Sequence, residues 1–107
     1  MNLLLRAGAV VAAIALSAPA LAAADLKIGV ISSMSGPISG LGIPYAKGIE
    51  AALAQHPLAD GRKVQVIMLD DASDPAVAAR DARKLVAEDK VDALIGTSGV
   101  PGAMAIA

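Results

Sequence analysis

Short apolar runs that favour strands alternate with stretches of helical pattern, and this alternation constrains the fold more than any other feature of the chain. Strands are predicted at residues 26–32, 63–69 and 90–96. Strands that alternate with helices form a parallel sheet with helices on its faces. Crossovers between parallel strands are right-handed, so we expect the strand order 2-1-3. The predicted fold class is therefore α/β, with a parallel sheet as the middle of three layers.

The helices between these strands have signals of their own. The first is predicted over residues 44–56, because Pro44 suits a first helical turn. The second is predicted over residues 75–88 with Asp74 as its N-cap, and a third opens at residues 103–107. Apolar residues at helical spacing mark the faces expected to be buried in the first two: Ala46, Ile49 and Leu53, then Ala78, Ala82, Leu85 and Val86.

Two loops rich in serine and glycine follow the first and third strands. One extends from Ser33 to the first helix, and the other covers residues 97–102. In the order 2-1-3 these strands are neighbours whose helices leave on opposite faces, so the loops flank a crevice at the carboxyl edge of the sheet. Open α/β sheets bind ligands at such a crevice, and small residues let a backbone approach a ligand closely. We therefore expect the binding site between these two loops.

The first 22 residues have the layout of a secretory signal peptide. Arg6 precedes an uncharged apolar run, and small residues at Ala20 and Ala22 suit a cleavage site. We expect cleavage after Ala22, with Ala24 as the alternative, and a mature domain over residues 23–107. A membrane anchor is the competing interpretation, but the apolar run is shorter than the roughly 20 residues that span a bilayer. The chain has no cysteine, which excludes disulfides and lipid attachment through a cysteine.

Several classes of function find no support in the sequence. The glycines after the first strand, Gly36, Gly40 and Gly42, match neither the dinucleotide fingerprint nor the phosphate-binding loop. The run GTSGV at residues 96–100 lacks the second glycine of a hydrolase nucleophile elbow, and His56 is the only histidine. Nine basic and ten acidic residues give a net charge of −1 and no basic face for a nucleic acid. We therefore expect neither an enzyme nor a nucleic-acid-binding protein.

Asp70, Asp71 and Asp74 follow the second predicted strand closely and raise the question of a metal site. Their spacing does not match a calcium-binding loop, and capping of the second helix accounts for Asp74. We therefore favour a structural role for these carboxylates, and we expect no metal and no cofactor.

Three segments in combination resemble the Leu/Ile/Val-binding family of periplasmic substrate-binding proteins of ABC importers. They are SGP after the first strand, DDASDP after the second and ALIGTSG at the third, and the resemblance extends over nearly all of the mature chain. It implies the type I periplasmic binding fold, in which two α/β lobes close over a small solute. This chain would supply the front part of the first lobe. The resemblance also implies that there are no catalytic residues and that an inner-membrane permease is the partner.

The resemblance further implies which residues meet the solute. The turn that holds the solute's carboxylate, through backbone N–H groups and a hydroxyl, corresponds to Thr97, Ser98, Gly99 and Val100. Many members have serine or threonine where this chain has Val100, so Ser98 is the substitute source of a hydroxyl. The loop that places a side chain over the solute, aromatic in some members, corresponds to Leu41 and Gly42.

Leucine-binding members join the acidic turn to the turn after the third strand by a disulfide. The matching positions are Ser73 and Gly99, so both halves of that disulfide are absent together. The resemblance implies capture of a branched-chain or related amino acid in the periplasm, although other members bind other amino acids, amides, urea or aromatic acids. A ligand-sensing domain of the same fold, coupled to a receptor or regulator, is the alternative function.

Overall fold

The computed structural model describes residues 24–107, and the predicted signal peptide lies outside the described residues. The elements in chain order are β1 (Leu26–Ser32), α1 (Ser39–Gln55), β2 (Leu58–Ala59), β3 (Arg62–Asp70), α2 (Pro75–Ala87), β4 (Ala93–Ile95) and α3 (Val100–Ile106). Strands β1, β3 and β4 correspond to the three predicted strands, although β4 is shorter than the predicted residues 90–96. In the part of the chain that is described, no helix is long and apolar enough to cross a membrane.

The parallel strands β3, β1 and β4 lie side by side, which confirms the predicted order 2-1-3. Strand β1 is central, and its register sets Ser32 opposite Asp70 of β3 and Val30 opposite Ile95 of β4. The carboxyl ends of all three strands therefore lie at one edge of the sheet. A central parallel strand is covered on both faces, and Val30 and Ile31 are buried accordingly.

A fourth strand, absent from the prediction, makes the sheet mixed rather than purely parallel. Strand β2 pairs antiparallel with the start of β3. The turn between them contains Asp60 and Gly61, with φ values of 51° and 75°. An Asp-Gly pair with positive φ at both positions is typical of tight β-hairpins. Because β2 has only two residues, it leaves no periodic pattern in the sequence.

Helix α1 begins at Ser39 and not at the predicted start, Pro44. The carbonyl of Ile38 accepts hydrogen bonds from the N–H groups of Leu41 and Gly42, at 2.9 and 3.2 Å. Pro44 therefore lies inside the helix, where its nitrogen has no hydrogen to donate. The predicted start is wrong because serine and glycine in the first turn are weak helix formers and leave no helical pattern.

The main core lies between the sheet and α2. It consists of Ile31, Ala78, Ala82 and Leu85, with partly buried apolar residues around it: Ile67, Leu69, Val91, Leu94 and Ile106. The predicted face of α2 is therefore correct except at Val86, whose side chain is 58% exposed. Helix α3 packs against α2 on this face of the sheet.

Helix α1 covers the opposite face of the sheet. Ala46 is buried, and Ile49 and Leu53 are half-buried, as the apolar stripe predicts. The helices that follow β1 and β4 therefore leave on opposite faces, and the three-layer arrangement is confirmed.

Asp74 caps α2, as the sequence predicts. Its side chain accepts hydrogen bonds from the N–H groups of Ala76, at 2.7 Å, and Val77, at 3.3 Å. We expect Asp74→Ala to lower the free energy of unfolding by about 1 kcal/mol, because both N–H groups lose their acceptor. Asp74→Asn keeps an acceptor oxygen and should cost much less. Urea denaturation of the full-length variants measures both values, and equal losses would contradict a capping role.

Candidate functional site

The loops that follow β1 and β4 are in contact at the carboxyl edge of the sheet. We call residues 33–38 the first loop and residues 96–99 the second loop. Gly99 of the second loop packs against Ile38 of the first, since a Cβ added to Gly99 would lie 2.6 Å from Ile38 Cδ1. The two loops therefore meet where the strand order predicts.

Leu41 and Gly42 lie in the first turn of α1 and not in a loop. Gly42 packs against the start of the first loop: a Cβ at this position would lie 1.9 Å from the carbonyl oxygen of Ser33 and 2.4 Å from its carbonyl carbon. The hydroxyl of Ser32 donates to the carbonyl of Gly42 at 2.9 Å. Leu41 is 55% exposed. Glycine at position 42 thus lets α1 approach the first loop, while Leu41 remains accessible beside it.

A buried carboxylate joins the two loops. Asp71, which follows β3, is only 1% exposed. The hydroxyl of Ser33 donates to Asp71 Oδ1 at 2.7 Å, and the hydroxyl of Thr97 in the second loop donates to Asp71 Oδ2. The N–H of Ser73 also donates to Oδ1, at 2.9 Å. No salt bridge within residues 24–107 includes Asp71, so its described hydrogen-bond donors are all neutral.

The importance of Asp71 was not apparent from the acidic turn alone. Its hydroxyl partners lie far away in the sequence, in the first and second loops. The predicted strand order is the feature that indicates these partners of Asp71, because β3, β1 and β4 end at the same edge of the sheet.

The other predicted residues of the second loop have different environments. Ser98 is half-buried, and its Oγ lies 3.4 Å from Ser32 Oγ. Val100 is the first residue of α3 and is 72% exposed. The structure therefore brings Thr97 and Gly99 against the first loop and Ser98 against Ser32 at the end of β1, and it leaves Val100 accessible.

Asp70 holds the first loop through several hydrogen bonds. The N–H groups of Met34, Ser35 and Ala72 donate to its Oδ1 at 2.9, 3.2 and 2.8 Å. The hydroxyl of Ser35 donates to its Oδ2 at 2.7 Å. Partial burial on its own would raise the pKa of Asp70, but the hydrogen bond from the Ser35 hydroxyl and those from the three N–H groups together hold the pKa below its ordinary value.

The lowered pKa of Asp70 predicts a pH-dependent contribution to stability. The contribution is fully present above the unfolded-state pKa of about 3.9, and it is lost as the pH falls through the lower folded-state pKa. We expect Asp70→Asn to destabilise the protein at neutral pH and the difference from the parent to shrink in acid. Urea denaturation at a series of pH values measures this difference. Asp25→Asn, at an exposed position, is the matched control. A difference in the free energy of unfolding between Asp70→Asn and the parent that stayed constant down to pH of about 2 would contradict the linkage.

Contacts within the protein occupy all three carboxylates of the acidic turn. Asp74 caps α2, Asp70 holds the first loop, and Asp71 joins the two loops. Within residues 24–107, no three potential metal-ligating side chains lie close enough together to hold a metal ion. These contacts agree with the structural role that the sequence favours.

Ser73 also fastens the first loop to the acidic turn. Its hydroxyl donates to the carbonyl of Ser35 at 2.7 Å and accepts from the N–H of Ile38 at 3.1 Å. Gly36 packs closely beside it, since an added Cβ would lie 2.8 Å from Ser73 Oγ. Hydrogen bonds thus hold this turn in a chain that has no cysteine.

Comparison with known proteins identifies what this arrangement is similar to. A family described as periplasmic binding protein matches residues 25–107. The Leu/Ile/Val-binding protein of Escherichia coli K12 is 38% identical over 77 residues, which are 69% of this chain and 21% of that protein. The chain therefore spans about a fifth of the length of this curated relative.

Solved structures show the same fold. An extracellular ligand-binding receptor from Rhodopseudomonas palustris HaA2 is 48% identical, with a TM-score of 0.70 over 77% of this chain and 22% of that chain. A leucine binding protein from Thermotoga maritima is 34% identical, with a TM-score of 0.73 over 76% of this chain and 23% of that chain. Each match covers less than a quarter of the solved chain.

Proposed function

The chain belongs to the periplasmic binding protein family, and on this basis we propose that the full-length protein captures a small solute for an ABC importer. The observation that carries the proposal is the contact between the first and second loops, at neighbouring strand ends where open α/β sheets bind ligands. The similarity to Leu/Ile/Val-binding and leucine-binding proteins favours a branched-chain or related amino acid as the solute. The family consists of binding proteins, and we propose no catalysis.

The proposed contact for the solute's carboxylate is the second loop with the residue that follows it. Gly99 is buried beside Ile38, whereas Val100 is exposed. The proposed donors are the backbone N–H groups of these two residues, and Val100 adds no hydroxyl. Backbone N–H groups hold anions in many proteins. Leu41, exposed in the first turn of α1, is the proposed apolar contact, and Gly42 sets how close that turn comes to the first loop.

Isothermal titration calorimetry of the full-length protein with leucine, isoleucine and valine tests this proposal. We expect saturable binding of one solute per protein for at least one of the three. The amides of these three amino acids are the matched controls: they keep the ammonium group but carry a neutral carboxamide in place of the carboxylate, so they should bind more weakly. Absence of binding by all three amino acids would contradict the proposed solute class.

Export to the periplasm and docking on an inner-membrane permease complete the proposed role. The signal-peptide pattern of residues 1–22 and the family support them. N-terminal sequencing of the exported protein should begin at Ala23, or at Asp25 if cleavage follows Ala24. Retention of Met1 in periplasmic material would contradict cleavage. A sensing role is the alternative, and it predicts that deletion of the gene changes a cellular response while solute uptake stays normal.

A further inference from the structure

We propose that Arg62 makes Ala24 part of the folded domain. A mature protein that begins at Ala23 then keeps a structural contact that a protein beginning at Asp25 lacks. The inference rests on the proposed export only for the existence of a cleaved form. It gives the choice between the two predicted cleavage sites a consequence: cleavage after Ala22 keeps the contact, and cleavage after Ala24 removes it.

The guanidinium group of Arg62 binds the backbone just before β1. Its Nε–H donates to the carbonyl of Ala24 at 2.8 Å, and its Nη2–H donates to the carbonyl of Asp25 at 3.1 Å. An arginine side chain presents its N–H donors in a fixed planar fork, so one guanidinium serves both carbonyls. The first of these contacts exists only in a chain that retains residue 24.

The register of the sheet explains why this side chain reaches these carbonyls. Strands β1 and β3 pair in parallel from Leu26 opposite Val64 onward. Continued two residues toward the amino terminus, the same register sets Ala24 opposite Arg62. Ala24 precedes the paired residues of β1, and the side chain of Arg62 supplies donors where the backbone pairing has not yet begun.

Asp92, which precedes β4 on the other side of β1, lies near the same guanidinium. Its Oδ2 accepts from the N–H of Lys27 at 2.8 Å and lies 3.9 Å from Arg62 Nη2. The N–H of Asp92 also donates to the carbonyl of Lys27, at 2.8 Å. Because Arg62 is the first residue of β3, these contacts tie the start of β1 to both of its neighbours in the sheet.

Partial exposure sets the size of the expected effect. The side chain of Arg62 is 35% exposed, so water competes for its donors and the contact is weaker than a buried hydrogen bond to a charged group. Loss of the Ala24 carbonyl leaves one of the two backbone contacts of this side chain. The start of β1 should therefore open more often while the rest of the domain stays folded. Hydrogen exchange at single N–H groups measures local opening of this kind.

Residue-resolved hydrogen exchange on two full-length proteins tests the inference without export. One protein begins at Ala23 and the other at Asp25, and each is released from a cleavable fusion partner. We expect the N–H of Lys27 to exchange roughly three- to tenfold faster in the protein that begins at Asp25, as for loss of a partly exposed hydrogen bond. The N–H of Leu85, in the core beside the sheet, is the control and should exchange at the same rate in both.

Arg62→Met is the matched variant, because it keeps an apolar stem and removes every donor of the side chain. We expect it to speed exchange at Lys27 in the protein that begins at Ala23 and to abolish the difference between the two starts. Equal exchange at Lys27 in the two parent proteins would overturn the inference. A difference between the two starts that Arg62→Met left unchanged would also overturn it.

Sequencing of the exported protein connects this result to the processed form. We expect the periplasmic protein to begin at Ala23. A periplasmic form that begins at Asp25 should show the faster exchange at Lys27, and slow exchange in that form would overturn the inference. Retention of Met1 would count against the proposed export alone, because the exchange measurements use proteins made without export.

Discussion

Replacement of Gly42 by alanine is expected to lower the free energy of unfolding by about 3 kcal/mol or more, the upper range for overpacking a close contact. A Cβ at this position would lie 1.9 Å from the carbonyl oxygen of Ser33 and 2.9 Å from its backbone nitrogen. These atoms belong to the backbone of the first loop directly after the central strand, so they cannot turn aside as the tip of a side chain would. The hydrogen bond from Ser32 to the Gly42 carbonyl would also be disturbed.

Gly48 provides the matched control in the same helix. An added Cβ at Gly48 would have no atom within 4 Å, so Gly48→Ala should stabilise α1 by up to about 1 kcal/mol through helix propensity. Urea denaturation of both full-length variants measures the two changes. Similar stability in Gly42→Ala and Gly48→Ala would show that α1 does not approach the first loop as described.

Gly99→Pro is expected to weaken binding of the cognate amino acid by more than about a hundredfold, since it removes an N–H proposed to hold the carboxylate, and hydrogen bonds to charged groups are strong. Proline also requires φ near −65°, whereas φ at Gly99 is −105°. The change would therefore alter the backbone of the second loop as well as its donors. Titration calorimetry of the full-length variant measures the loss.

Three variants separate the backbone effect from side-chain effects. Gly99→Ala keeps the N–H, and its Cβ would meet only the flexible end of Ile38, so it should bind far better than Gly99→Pro. Ser98→Ala removes one hydroxyl and should also cost less. Val100→Ser adds a hydroxyl at an exposed position and should be tolerated, or tighten binding. If Gly99→Pro bound the amino acid like the parent, the second loop would not be the carboxylate site.

The parts of the fold that the sequence predicts well are those with strong local signals. Strand β1 has the predicted bounds, because charged or small polar residues flank a compact apolar run. Helix α2 begins at Pro75 after the Asp74 cap, because an N-cap residue followed by proline is a local signal for the start of a helix. The observed strand order is the one expected among the few topologies that alternation and right-handed crossovers allow.

The parts that the sequence does not predict depend on contacts between distant residues. The early start of α1 comes with a close approach of Gly42 to Ser33, a contact between distant parts of the fold that helix propensity does not record. The partners of Asp71 come from two other strand ends and require the register of the whole sheet. Val86 continues the apolar pattern of α2 yet is exposed. Periodicity identifies the apolar face of a helix, but it does not show how much of that face other elements cover.

The central place of β1 in the sheet also sets the order in which this chain can fold. Its hydrogen-bonded neighbours are β3 and β4, and each follows a complete helix in the sequence. Strand β1 therefore has no hydrogen-bonded partner while α1 is being synthesised. The edge of β1 that pairs with β4 stays unpaired until β4 has been made. Pairings this far apart close slowly. Assembly of the sheet should consequently begin late in synthesis, after both neighbours of β1 have been made.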